Sequence, residues 1–328
     1  MKPSSSPLPL LLIGALVACK SPVAPKADDT AGGTDGADGA DGADGSDGGG
    51  EEVAWEDVRL ETAISLTGAY ASGTGFFVTA EQGQTYKRQD GEWAPIPIEV
   101  DGEDLNGLWG MGADDTLEMV AVGDGGFLAT WTAGAWVVED IGTANLESVS
   151  GPASNDLMAV GWGGVFMNKS GAWTYLPVDG SPRFNKVWYN GNVAFAVGED
   201  GTHAKYADGV WTVTQEDSRL RLYGVSGTKN ADMWACGESG LMLHFDGATW
   251  TPVDLGTAQS LWAVLALSDT DVYVVGGGGF AAHYDGAAWT DLPTGVDNNL
   301  YAISASSNGT VWAVGNRGMT LKRNGAAD

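Results

Sequence analysis

The sequence predicts an all-β chain folded as a seven-bladed β-propeller of four-stranded blades. Three observations predict it. Gly83, Gly126, Gly164, Gly201, Gly240, Gly279 and Gly318 recur at intervals of 37 to 43 residues, and a period near 40 marks an array of like units. Each unit holds four short apolar segments, rich in β-branched and aromatic residues and separated by turn residues, as strands and hairpins require. The last unit is one strand short, and a matching segment stands ahead of the first, so the ring can close on itself.

The unit is clearest where Leu261-Trp262-Ala263-Val264 opens it. Val272-Tyr273-Val274-Val275-Gly276 follows, then Gly279 to Tyr284, the turn Asp285-Gly286, and Trp289-Thr290-Asp291-Leu292. The second strand recurs as Met119–Val122, Ala194–Val197, Met233–Cys236 and Val311–Val314. It is apolar at both parities, as a strand covered on both faces must be. The repeating glycine stands at the turn after this strand, where a tight turn favours positive φ. The next turn reads Asp90-Gly91, Asp208-Gly209, Asp246-Gly247, Asp285-Gly286 or Asn324-Gly325, with Ala133-Gly134 and Ser170-Gly171 in two units. Asp-Gly and Asn-Gly are strong hairpin signals. Trp93, Trp136, Trp173, Trp211, Trp250 and Trp289 follow these turns regularly, which marks them as packing residues of the outer strand. Trp109 and Trp188 share an inner-strand position and are expected to fill the core near the channel.

The seventh unit has no outer strand of its own before Asp328. Trp55-Glu56-Asp57-Val58 matches Trp173-x-x-Leu176, Trp250-x-x-Val253 and Trp289-x-x-Leu292. This segment is expected to complete the last blade, which protects the sheet edges of an otherwise open array.

Ahead of the repeats, residues 1–18 hold a lysine and an apolar run from Leu8 to Ala18. The run is too short to span a bilayer as a helix and suits a signal peptide. It ends in Leu16-Val17-Ala18-Cys19, which resembles a bacterial lipobox. The resemblance implies cleavage before Cys19 and acylation there, by palmitate among other chains, giving an anchor without a membrane-spanning helix. Lys20 follows in place of an aspartate, which favours the outer membrane. Residues 19–52 form the expected tether, with Asp, Gly and Ala repeating every three residues. Such a segment cannot bury enough apolar area to fold, and about 30 residues of flexible chain reach roughly 30 Å. The propeller is then assigned to residues 53–328.

With a formal net charge of −27, nucleic acids and anionic membrane surfaces are poor partners for the domain. Cys236 is the only other cysteine. Its apolar neighbours suit a buried core residue rather than a reactive thiol.

The repeat Val-x-Ala-Val-Gly-x-x-Gly with His-Tyr-Asp-Gly-x-x-Trp resembles the propeller repeats of bacterial surface lipoproteins. It is more distantly similar to the Asp-box hairpin of sialidase-type propellers, but the Asp-to-Trp interval is one residue shorter, as from Asp246 to Trp250, and the serine is absent. The first unit departs most, with Ala80 in place of a glycine. The resemblance implies a seven-bladed ring and says little about activity.

Candidate site residues lie where the repeats differ from one another, because irregular loop positions are free to recognise something. Trp162 occupies a turn position held elsewhere by Asp124, Glu199, Glu238, Gly277 or Asn316. Arg183, Arg219 and Arg221 lie in segments joining outer to inner strands. Trp162, Arg183, Arg219, Arg221, Glu199 and Glu238 are therefore the ligand-binding candidates, all expected on one face. Trp162 could equally fold onto the neighbouring blade. The pairs Asp114-Asp115 and Asp269/Asp271 could bind calcium, which prefers several oxygen ligands, or be solvated turns. His203, His244 and His283 lack zinc spacing. No catalytic triad, phosphate loop or nucleotide fingerprint stands out.

The expected function is a membrane-anchored, non-catalytic platform that binds a protein or an envelope glycan through its variable loop face. An outer-membrane assembly scaffold and a sialidase-like glycan-cleaving enzyme are the alternatives.

Overall fold

The computed structural model describes residues 54–100, 102–142 and 144–324. The signal segment 1–18, Cys19 and the tether 19–52 lie outside these residues. Seven antiparallel sheets of four strands each form the ring. Blades are numbered here by their inner strands: Leu66–Ala71, Leu105–Met111, Leu146–Ala153, Phe184–Tyr189, Leu222–Lys229, Leu261–Ser268 and Leu300–Ala305.

Blade 7 closes the ring as the sequence predicts. Its outer strand is Glu56–Asp57, paired with Thr320–Arg323 through Glu56 opposite Lys322 and Asp57 opposite Leu321. Beyond the strand, Val58 N–H donates to the Thr320 carbonyl at 2.9 Å and Leu60 N–H to the Gly318 carbonyl at 2.9 Å. Trp93 Nε1 of blade 1 reaches the Val58 carbonyl at 2.9 Å.

The second strands are the most buried elements. Phe76–Ala80, Ala194–Gly198 and Val311–Gly315 are buried at every residue. Their apolar faces meet neighbouring blades: Met158 and Val160 of blade 3 share a core cluster with Phe184 and Val187 of blade 4. The outer-strand tryptophans seal these cores, with Trp211 stacked on Phe184 at 5.6 Å and Trp289 edge-on to Trp234 at 5.4 Å. Trp109 bonds the Gly151 carbonyl of blade 3 at 2.8 Å, and Trp188 packs on Phe195 at 6.3 Å, so both fill space between strands.

Third-to-outer turns come in two forms. In blades 1 to 4, both turn residues have positive φ, as at Asp90 (+53°) and Gly91 (+88°), the requirement of a two-residue hairpin. Blades 5 and 6 carry one residue more before the tryptophan. There the aspartate caps the turn instead: Asp246 Oδ1 accepts from Ala248 and Thr249 N–H, and Asp285 Oδ1 from Ala287 and Ala288 N–H.

The repeating glycines have φ between +67° and +142°. The case for glycine is strongest at Gly318, where a Cβ would lie 1.9 Å from the Leu60 carbonyl oxygen. The loop that repeats every 40 residues is thus pinned against the chain that leaves its blade after the outer strand.

Candidate functional site at the loop face

One hydrogen bond recurs in all seven blades and defines this face. The first residue after each second strand donates its N–H to the carbonyl just ahead of the inner strand: Glu81 to Ser65, Asp124 to Asp104, Trp162 to Asn145, Glu199 to Arg183, Glu238 to Arg221, Gly277 to Ser260 and Asn316 to Asn299. The turn residues and the inter-blade segments therefore share one face, as the sequence predicts.

Each inner strand then carries a bulge after its first residue. Leu222 faces Gly237 and Gly224 faces Cys236, leaving Tyr223 unpaired between them. The same shift leaves out Thr67, Asn106, Glu147, Asn185, Trp262 and Tyr301. A bulge re-aims its extra side chain, and here the extra residues tie blade to blade. Asn106 Nδ2 donates to the Leu146 carbonyl (3.1 Å) and Asn185 Nδ2 to the Leu222 carbonyl (3.0 Å).

Trp162 starts a continuous line of contacts around this mouth. Blade 3 makes its turn with only Trp162 and Gly163 between the paired Gly161 and Gly164, where six other blades insert a short 3₁₀ turn. A Cβ on Gly163 would fall 2.2 Å from Ala144 Cβ, so glycine lets the turn lie flat and present the indole. Trp162 remains 48% exposed. The Arg183 guanidinium sits 5.4 Å from its ring centre, and its Nε1 donates to Asn185 Oδ1 at 3.3 Å. Asn185 Nδ2 donates to Glu199 Oε1 at 3.2 Å. Arg221 Nε pairs with Glu199 Oε2 at 2.8 Å, and its Nη1 lies 3.6 Å from Glu238 Oε1. Glu238 also accepts from Tyr223 OH (3.2 Å) and from the Arg221 N–H (3.0 Å). Tyr223 stacks on Trp262 at 4.3 Å, and Trp262 meets Tyr301 edge-on at 5.4 Å.

Five of the six sequence candidates thus join one network over blades 3 to 5. Arg219 does not: its Nη1 bonds Gln215 Oε1 at 2.9 Å on an exposed turn. Beside Trp162, the 54% exposed Tyr175 helps enclose a cleft of about 60 Å³ with Val178, Pro182 and Phe184.

Two charged groups of the inner strands went unnoticed in the sequence. Glu147 makes no hydrogen bond or ion pair among the described residues, and burial, with Asp124 and Glu199 nearby, pushes its carboxyl up to about 7. Lys186 of blade 4 stands where the other blades carry Gly68, Gly107, Ser148, Gly224, Ala263 and Ala302. Burial disfavours its charged form and so lowers the proton affinity of its amine. Lys186 breaks a small-residue position once strands are aligned by their bulge, a signal visible only after the inner register is known, whereas the Glu147 position varies from blade to blade.

The calcium candidates lie on the opposite face, Asp114, Asp115 and Asp269 in connections from inner to second strands and Asp271 as the first residue of a second strand. Asp114 Oδ1 accepts from Thr74 Oγ1 at 2.8 Å, Asp269 pairs with Lys229, and Asp271 Oδ1 lies 2.7 Å from His283 Nε2. His244 and His203 likewise face Asp232 (2.7 Å) and Glu216 (3.0 Å). Among the described residues, no group of three or more His, Cys, Asp or Glu side chains could hold a metal ion. Cys236 is buried, which pushes its thiol far up.

Fold and mouth together define a closed seven-bladed propeller with an irregular, partly aromatic loop face. No protein-family model and no curated protein sequence matches the chain. Solved structures match its fold. A structure titled "YCF48 bound to D1 peptide" is 17% identical, with a TM-score of 0.67, over 84% of this chain and 97% of that one. A streptogramin B lyase structure is 10% identical, with a TM-score of 0.70, over 82% and 97%. The WD40 propeller domain of Doa1 is 12% identical, with a TM-score of 0.62, over 80% and 94%. At these identities the likeness is one of fold.

Proposed function

We propose that the protein is a lipid-anchored envelope propeller whose loop face binds a protein or an envelope glycan. The observation that carries this reading is the line of contacts from Trp162 to Glu238. It fixes an exposed indole, a cation over it and a half-exposed Arg221 on a rigid ring. Aromatic and arginine side chains held this way are the residue types that dominate recognition surfaces. One of the fold relatives is titled as bound to a peptide, and its mode of use supports, by analogy, a propeller acting as a platform. The anchor rests on Cys19 and the bilayer it implies on Lys20. Labelled palmitate should enter the full chain and not Cys19→Ser, and the wild-type chain should fractionate with outer membranes. Palmitate in neither chain would remove the anchor from the reading.

A glycan-cleaving activity is the second reading, favoured by Glu147. A carboxyl held near 7 suits a general acid at neutral pH. Turnover of envelope glycans that Glu147→Gln abolishes would establish it. The carboxylates around Arg221 count against a sialidase-like arginine cluster, since they already neutralise the guanidinium.

A further inference from the structure

The face opposite the loop mouth carries a second cavity, at the seam where the first and last blades meet. It is a cleft of about 510 Å³, within the range of about 300–1,000 Å³ usual for small-ligand pockets. Its walls are the connections 72–75 of blade 1 and 306–310 of blade 7, with Arg88 and Asp90 at the end of blade 1's third strand.

Arg88 is the unusual group here. Its guanidinium lies 5.8 Å from the Trp312 ring centre, and Phe76 stacks on that ring at 4.4 Å. Its Nε is shut off from solvent with no hydrogen-bond partner. No ion pair among the described residues includes Arg88. In a chain of net charge −27, Arg88 thus lines a cleft with no carboxylate paired to it among the described residues. Packing does not demand it either. Arg88 faces Trp93 across the hairpin, and the same register places Trp131, Tyr206, Phe245 and Tyr284 opposite their own outer tryptophans. Those four blades fill the position with an aromatic ring, whereas blade 1 spends it on a cation.

A second cation, Lys322, lies 5.9 Å from the same ring and only 3.9 Å from its nearest carboxylate, Glu56. Asp90 and Asp114 complete the lining. Asp114 accepts from Thr74 through Oδ1, which leaves Oδ2 open. The cleft therefore offers an unmet guanidinium on one side and carboxylate acceptors on the other. A simple anion would meet the two aspartates unfavourably, and a neutral polyol would accept from the guanidinium without supplying a counter-charge.

We propose that this cleft binds a hydroxylated carboxylate of the acidic-sugar type, a uronate unit. The carboxylate takes the Arg88 Nη groups, with Lys322 nearby, and ring hydroxyls donate to Asp90 and Asp114. The site lies on the face opposite Trp162 and does not depend on what the loop face binds.

Calorimetric titration of the full chain with D-glucuronate, D-glucose and acetate tests it. Glucuronate should bind, with glucose and acetate at least ~10-fold weaker. Arg88→Gln should weaken glucuronate by ~10-fold or more, the scale of one lost charge-assisted hydrogen bond. Asp90→Asn should weaken glucuronate several-fold and, by removing a like charge, leave acetate no weaker than before. Asparagine tolerates the positive φ at this turn, so this variant decides the matter if Arg88→Gln does not fold. No binding of glucuronate at millimolar concentration would overturn the proposal. So would equal affinity for acetate and glucuronate, or wild-type affinity in a folded Arg88→Gln.

Discussion

At the scale of single residues, the loop face separates binding from stability. Trp162 is exposed and its turn is fixed by Gly163, so removing the indole leaves the blade intact. Trp162→Ala should cost about 2 kcal/mol of partner affinity, as hot-spot aromatics do, while shifting the melting temperature little. Equal binding by wild type and variant would sink the assignment. Glu147 gives a different kind of prediction. Its carboxyl titrates near 7 in the folded chain and in the ordinary range, near 4.3, when unfolded. Between those values the folded state holds more protons, so this group's contribution is fully present below the unfolded value. It is lost as pH rises through about 7. Glu147→Gln should therefore flatten the fall in stability between pH 5 and 8, read by chemical denaturation at each pH; an unchanged slope would contradict it. Trp162 was legible in the sequence because it breaks an otherwise acidic or small turn position. Glu147 was not, because its peculiarity is the loss of water and the nearness of Asp124 and Glu199, which only the folded mouth brings about.

At the scale of elements, turns and the closing strand carry the repeat. Gly318→Ala should destabilise by about 3 kcal/mol or more, since it combines left-handed strain with a clash against a fixed carbonyl. Gly91→Ala, with positive φ but open space around it, should cost only about 1–2 kcal/mol. Equal losses from both, measured by urea unfolding, would refute the close-approach argument. Deleting residues 53–60 removes the outer strand of blade 7, the Val58 and Leu60 hydrogen bonds and the cover over Trp93. The deletion should abolish a cooperative melt near the wild-type temperature and expose an edge. A melt unchanged by it would show that the ring does not depend on this closure. The four-strand unit and its closing segment could be read directly, since hairpin and glycine signals are local. The two turn forms could not be read apart with equal ease, because they differ by one residue between aspartate and tryptophan. The inner-strand bulge had no sequence signal at all. It is a matter of register, settled by how each blade meets the next.

At the scale of the whole molecule, fold and site were legible to different degrees for one physical reason. A propeller repeats its scaffold chemistry seven times, so periodicity exposes the scaffold. Recognition uses the positions that do not repeat, and those acquire meaning only once the ring gathers Trp162, Arg183, Glu199, Arg221 and Glu238 onto one face. Arg219, equally irregular in sequence, falls outside that network. The central claim is that this face is where the protein meets its partner. In-cell crosslinking of the full-length chain, with purification and mass spectrometry of the adducts, tests it most directly. Wild type should be run beside Trp162→Ala and beside Val210→Ser, a change at an exposed outer-strand position away from the mouth. The account predicts a dominant protein or glycan adduct in wild type and Val210→Ser that is lost in Trp162→Ala. The same adduct at equal yield in all three chains would contradict it.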